Sequence, residues 1–152
     1  MYFWRIESLK TEMAVRPLSE REALPYLVVS VALFSAVAFI PQTIHNIWDG
    51  LGAVWSVLLA VVGTIYIFRQ NGGAEGQHFL QRYFAVGWVV SVRCLAVFIL
   101  VTVAFYGALA AAGADTESTR WYDFLYVAVV ETVVYWRIGH HVRDLAQRAT
   151  AA

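Results

Sequence analysis

The chain has 152 residues and a mass of 17.0 kDa, the length of a single domain. Hydrophobic residues make up 60% and charged residues 14%, against about 25% charged in ordinary soluble domains, so there is too little charge to cover the apolar surface in water. Eleven Lys and Arg balance eleven Asp and Glu, which excludes a nucleic-acid partner drawn by bulk charge, and the single cysteine, Cys94, excludes a disulfide scaffold.

The first elements in chain order read as a surface helix followed by an apolar one. In residues 1–17, Tyr2, Ile6, Leu9 and Met13 recur at helical spacing, with Arg5, Glu7, Lys10, Glu12 and Arg16 on the remaining surface. Such a helix lies in the cytoplasmic headgroup layer or packs on the loops of its own bundle; the first placement defines an amphipathic interfacial helix. Pro17 ends it. Ser19 with Glu22 three residues later forms a capping box that opens the next helix, and Pro25 falls early enough in that helix to be tolerated. Ala36-Val37-Ala38 has the small residues of a signal-peptidase site, but the long preceding region with Glu7, Glu12, Glu20 and Glu22 is unlike a short basic leader.

Four runs reach or approach the ~20 residues that cross a ~30 Å hydrocarbon layer. They are Ala23–Trp48, Gly50–Phe68, Cys94–Ala114 and Phe124–Val142, the last interrupted by Glu131 and Arg137. Residues 18–146 are therefore expected to form a four-helix membrane domain, followed by a tail at 147–152. Near the end of the first run, FIPQTIHNIW predicts a kink at Pro41, where Gln42, Thr43, His45 and Asn46 are at hand for the freed carbonyls. The Pro41-Gln42 pair resembles the signature of PQ-loop transporters, whose three-helix or seven-helix layouts differ from four spans; no function is carried over from it. The third helix, Tyr83 to Ala112, would rise ~45 Å, so it must tilt or protrude. Its first part, YFAVGWVVSVR, needs cover from lipid, the N-terminal helix or another subunit.

Lys and Arg set the orientation. Arg5, Lys10, Arg16, Arg21, Arg69, Arg82, Arg143 and Arg148 fall on one side and Arg120 alone on the other, which predicts two cytoplasmic termini. The expected location is integral to a plasma membrane of the bacterial inner-membrane kind. Small residues four apart predict the packing faces: Gly52, Ser56, Ala60 and Thr64, then Gly87 with Ser91, Gly107 with Ala111, and Ala128 with Thr132.

Glu131 is the sharpest candidate for chemistry, an acid near the bilayer centre that must be compensated. The alternatives are a neutral acid hydrogen-bonded to Thr64, Thr102 or a backbone carbonyl, and an ion pair with Arg93, which a height difference of ~10 Å disfavours. Arg93 and Arg137 complete the intramembrane set, and Arg93 is also placed to bind a lipid phosphate. His78, His140, His141 and Asp144 are a remote candidate metal set on helical spacing. No motif for nucleophilic, phosphoryl or dinucleotide chemistry is present, and no cofactor is expected. The whole reads as an all-α membrane bundle that partners the lipid bilayer and either itself or other membrane subunits. Its expected role is a non-catalytic oligomeric or complex-forming subunit, and the alternative is a homo-oligomeric channel or proton-linked transporter using Glu131.

Overall fold

A computed structural model describes residues 4–38, 46–113 and 119–151, and the side chains among them except those of residues 20, 33–38 and 151. Among the described residues there are five α-helices and no strand, and 88% of these residues are helical. The helices are α1 (Ile6–Val15), α2 (Glu20–Ala38), α3 (Ile47–Gln70), α4 (Phe79–Ala111) and α5 (Trp121–Ala151), with a single 3-10 turn at Gly73–Glu75.

Local sequence sets the ends of these helices. The Ser19 N–H donates to the Glu22 carboxylate at 2.9 Å, the reach-back half of the expected capping box, and Arg16 holds the same carboxylate at 2.9 Å. Asn46 opens α3 with a full capping box: its side chain accepts from the Trp48 and Asp49 N–H groups, and Asp49 accepts from the Asn46 N–H. Between α3 and α4 the chain turns through Gly72 at φ +100°, a left-handed conformation that a residue with a Cβ adopts only under strain. The expected tail at 147–152 is not a separate segment, because α5 continues to Ala151.

The contacts between helices fix their directions. Asn46 reaches Thr119, Trp48 packs on Phe124, Ser56 bonds Glu131, Gly63 meets Tyr135 and Tyr66 meets Gly139, so α3 and α5 run parallel. Against α5 the numbers fall along α4, from Tyr106 with Asp123 through Thr102 with Tyr126 to Gly87 with Ile138, so α4 runs antiparallel to both. The α3–α5 interface is closest where side chains are missing. A Cβ on Gly63 would strike the Tyr135 ring, and one on Gly139 would strike Tyr66. The expected small-residue packing at Gly52 and Gly107 is not found, since nothing lies within 4 Å of either position; the close approach is carried by Gly63 and Gly139.

Nearly all the buried apolar side chains gather at one end. Ile6, Leu9 and Met13 of α1, Tyr26 of α2, Ile67 of α3, Ala85, Val86, Val89 and Val90 of α4, and Ile138, Val142 and Leu145 of α5 form one cluster. The apolar first part of α4 is thus covered by the N-terminal helix, as one of the three expectations had it, and also by α2 and α5. The apolar face of α1 is correspondingly turned into the protein. It does not lie on lipid, because this cluster buries it more completely than a half-immersed position would. Lys10 sits on that buried face at 2% exposure and reaches Glu7 and Asp144 at 2.6 Å each, while Arg148 reaches both carboxylates at 3.1 Å. This four-charge latch ties α1 to the last turns of α5. Lys10 holds the Glu7 and Asp144 carboxyls below the usual carboxylate range by donating hydrogen bonds to them, and Arg148 reinforces the effect.

Outside that cluster the helices are bare hydrocarbon. Val54, Val57, Leu58, Val61, Val62 and Ile65 on α3, Leu95, Val97, Ile99, Leu100, Val101 and Val103 on α4, and Leu125, Val127 and Val129 on α5 are exposed. Helices α3 and α4 are long and apolar enough to cross a membrane; 11% of the most apolar stretch of α3 and 0% of that of α4 is buried in the protein. Of the other two expected spans, Ala23–Trp48 runs beyond the described residues, and the run on α5, Phe124–Val142, carries Glu131 and Arg137.

Candidate functional site

The parallel pair α3 and α5 forms the longest interface in the molecule and carries the polar groups of the apolar length. At its α3 start, Asn46 Nδ2 donates to the Thr119 carbonyl at 2.8 Å. Nearly three turns further on, Ser56 Oγ donates to Glu131 Oε1 at 2.7 Å. Beyond it, the Tyr83 hydroxyl of α4 lies 3.5 Å from the Thr64 hydroxyl of α3. Two further clamps join α4 to α5: Tyr106 donates to Asp123 at 2.5 Å, and the Thr102 and Tyr126 hydroxyls are 2.5 Å apart. Apart from the Asn46–Thr119 bond, which joins the residues just ahead of α3 and α5, each of these hydrogen bonds links two helices, which is how hydroxyls and acids are satisfied where no water competes.

Glu131 is compensated on one oxygen only. Its partner is Ser56, which the small-residue stripe had placed on this face of α3, and neither Thr64 nor Thr102 reaches it. The other oxygen, Oε2, is buried with no hydrogen-bond partner among the described residues. The carboxyl can therefore serve as interhelical glue through Oε1 while retaining an unused acceptor through Oε2.

The remaining sequence candidates do not converge on it. Arg93 is not the partner of Glu131: its guanidinium Nε donates to the Trp4 carbonyl at 2.8 Å, Nη2 bonds the same oxygen, and the group lies 5.7 Å over the Trp4 ring. Trp4, two residues ahead of α1, thus supplies both an acceptor and a π-face for which the sequence offers no signal. Arg137 is exposed on α5, two turns beyond Glu131. Pro41, Gln42 and His45, the expected polar kink, lie outside the described residues. His140 stacks on Trp136, with ring centroids 6.2 Å apart, and is 5.8 Å from His141. Asp144 is taken by Lys10 and Arg148, and His78 stands at the start of α4 with φ +55°. Among the described residues no group of three or more His, Cys, Asp or Glu side chains is placed to hold a metal ion.

No family model, no curated protein and no solved structure matches the chain.

Two polar clusters were missed by reading the sequence. One is the latch at Lys10, whose signal was a lysine between Leu9 and Met13 on the apolar face of α1. The other is Asn71 with Arg82, where Arg82 Nη1 donates to Asn71 Oδ1 at 3.0 Å and both residues are buried. Nothing in the spacing announced this pair, because it forms across the turn between two helices.

Proposed function

We propose that the chain is a polytopic membrane subunit with no chemistry of its own, which crosses the bilayer four times with both ends cytoplasmic and acts by lateral assembly with further copies of itself. The observation that carries this reading is the contrast between the two sides of α3 and α4. Their inner faces hold paired polar groups and glycine–tyrosine contacts, whereas their outer faces are apolar and unburied. An apolar helix in the core of a soluble protein is mostly buried; these are not, and lipid is the solvent that such faces match. Because α5 stays in register with α3 from Thr119 to Gly139, it occupies the same depths, and Ser56 compensates its acid there. The sorting of Lys and Arg to one side supports the orientation.

The test is self-association in vesicles. Donor-labelled and acceptor-labelled chains co-reconstituted in lipid should retain energy transfer as the lipid-to-protein ratio is raised, and decay of transfer to the random-collision level would refute the homo-oligomer.

A second reading, a proton-linked path through Glu131, is favoured by one observation, the buried Oε2 without a partner. It predicts that a pH gradient drives flux across proteoliposomes and that Glu131→Gln abolishes this flux without altering oligomer size. Equal flux with either residue removes it.

A further inference from the structure

The geometry points to a phosphate-binding site at the inner end of the molecule, in the cleft between the α3–α4 turn and the last turns of α5. This cleft has a volume of about 640 Å³ and is lined by Arg69, Asn71, Glu75, Arg82 and Arg143, among others. Three guanidinium groups therefore face one carboxylate, and among the described residues none of the three arginines forms an ion pair. Arg69 and Arg143 are exposed.

Arg82 is the decisive member. It lines the cleft at 6% exposure, and its one hydrogen-bond partner among the described residues is the neutral Asn71. A guanidinium withdrawn from water without a counter-charge is strongly disfavoured. The surroundings hold it in place nonetheless. Asn71, 1% exposed, donates through Nδ2 to the Gln77 carbonyl at 3.2 Å, which orients its Oδ1 toward Arg82. The turn is packed so tightly that a Cβ on Gly76 would collide with the Asn71 carbonyl. Only Nη1 is engaged, so the remaining N–H groups of the fork are available to an anion entering the cleft, and a phosphate oxygen pair matches that planar fork. Arg69 and Arg143 on the two walls supply the second and third charges that a phosphate dianion or a phosphodiester with a neighbouring anion would meet.

The phosphate has two possible sources. Phe68 packs edge-on against Phe79 at 5.3 Å beside the cleft, where the apolar length of α3 ends, so an acidic phospholipid could present its headgroup there. A soluble phosphate compound could enter from the aqueous side. The lipid source rests on the membrane reading above; the phosphate chemistry does not.

Purified full-length chain in a neutral detergent would be titrated with inorganic phosphate, with phosphatidylglycerol and with phosphatidylcholine, following thermal unfolding by tryptophan fluorescence. Phosphatidylglycerol should raise Tm above the phosphatidylcholine control if the ligand is a headgroup, and inorganic phosphate should do so if it is soluble. In either case Arg82→Gln and Arg143→Gln should each raise the half-saturating concentration about tenfold, the loss of one charge-assisted contact. Should Arg82→Gln fail to fold, the exposed Arg69→Gln and Arg143→Gln decide the matter. Absence of any shift with both phosphate probes, or identical titrations for the wild type and the arginine variants, overturns the site. Reconstitution that fails while phosphate still binds would instead count against the membrane reading.

Discussion

At Gly63 the Tyr135 ring occupies the space that any larger residue would need, and the nearest ring atoms include Cγ, which is anchored close to the α5 backbone. Relief by rotating the tyrosine is therefore limited, and Gly63→Ala should destabilise the bundle by about 1–3 kcal/mol, as overpacking does. Gly107 offers the contrast. Nothing lies within 4 Å of a Cβ there, so Gly107→Ala should hold or raise stability by up to about 1 kcal/mol through helix propensity. Thermal unfolding of the two variants in one detergent checks both, and equal behaviour would show that the α3–α5 approach is looser than described. Sequence spacing found small residues on the right helices but not the right ones. The four-residue stripe through Gly52 and Thr64 leaves out Gly63, and the meeting of Gly63 with Tyr135 depends on a register between segments more than 70 positions apart, as in the Asn46–Thr119 contact. Glu131 was legible as an acid in need of compensation for the same reason that its partner was not: composition shows the need, and only helix register shows Ser56.

Among the elements, α1 is the one whose attachment depends on charge. Lowered Glu7 and Asp144 carboxyls mean that the docked form favours their ionised state, so their contribution is complete above the ordinary carboxylate pKa of about 4 and is lost as pH falls through the lower, docked values. Docking of α1 should thus be constant at neutral pH and weaken below about pH 4. Spin labels at the exposed Ser8 and Gln147 would report this as a broadening distance distribution on acidification, and Lys10→Met, which keeps the apolar face, should flatten the pH dependence. An unchanged profile in that variant would mean that the latch contributes nothing. The amphipathic pattern of α1 announced a face to be buried but not what would bury it. Ile6, Leu9 and Met13 fit lipid and protein equally well by spacing, and the seat they take is built by α4 and α5, more than 60 positions along the chain.

Over the whole molecule, the protein divides into a packed end and a bare one. The 33-residue α4 spans both: Ala85, Val86, Val89 and Val90 are enclosed by α1, α2 and α5, while Leu95, Val97, Ile99, Leu100, Val101 and Val103 face outward, and its rise of ~50 Å exceeds the ~30 Å hydrocarbon layer by ~20 Å, room for the enclosed end outside it. The chain should therefore sediment with membranes and stay there after washing at alkaline pH, and recovery in the detergent-free supernatant would contradict the proposal. This division was partly legible, since apolar runs and their excess length are properties of one segment at a time; the location of the core was not, because all five helices contribute to it. The latch has a consequence for biosynthesis. Lys10 bonds Asp144 across 134 positions, so the latch cannot close until α5 has been made, long after α1. Until then α1 has only α4, of its two main partners, to cover its apolar face, so its docking is completed late in synthesis.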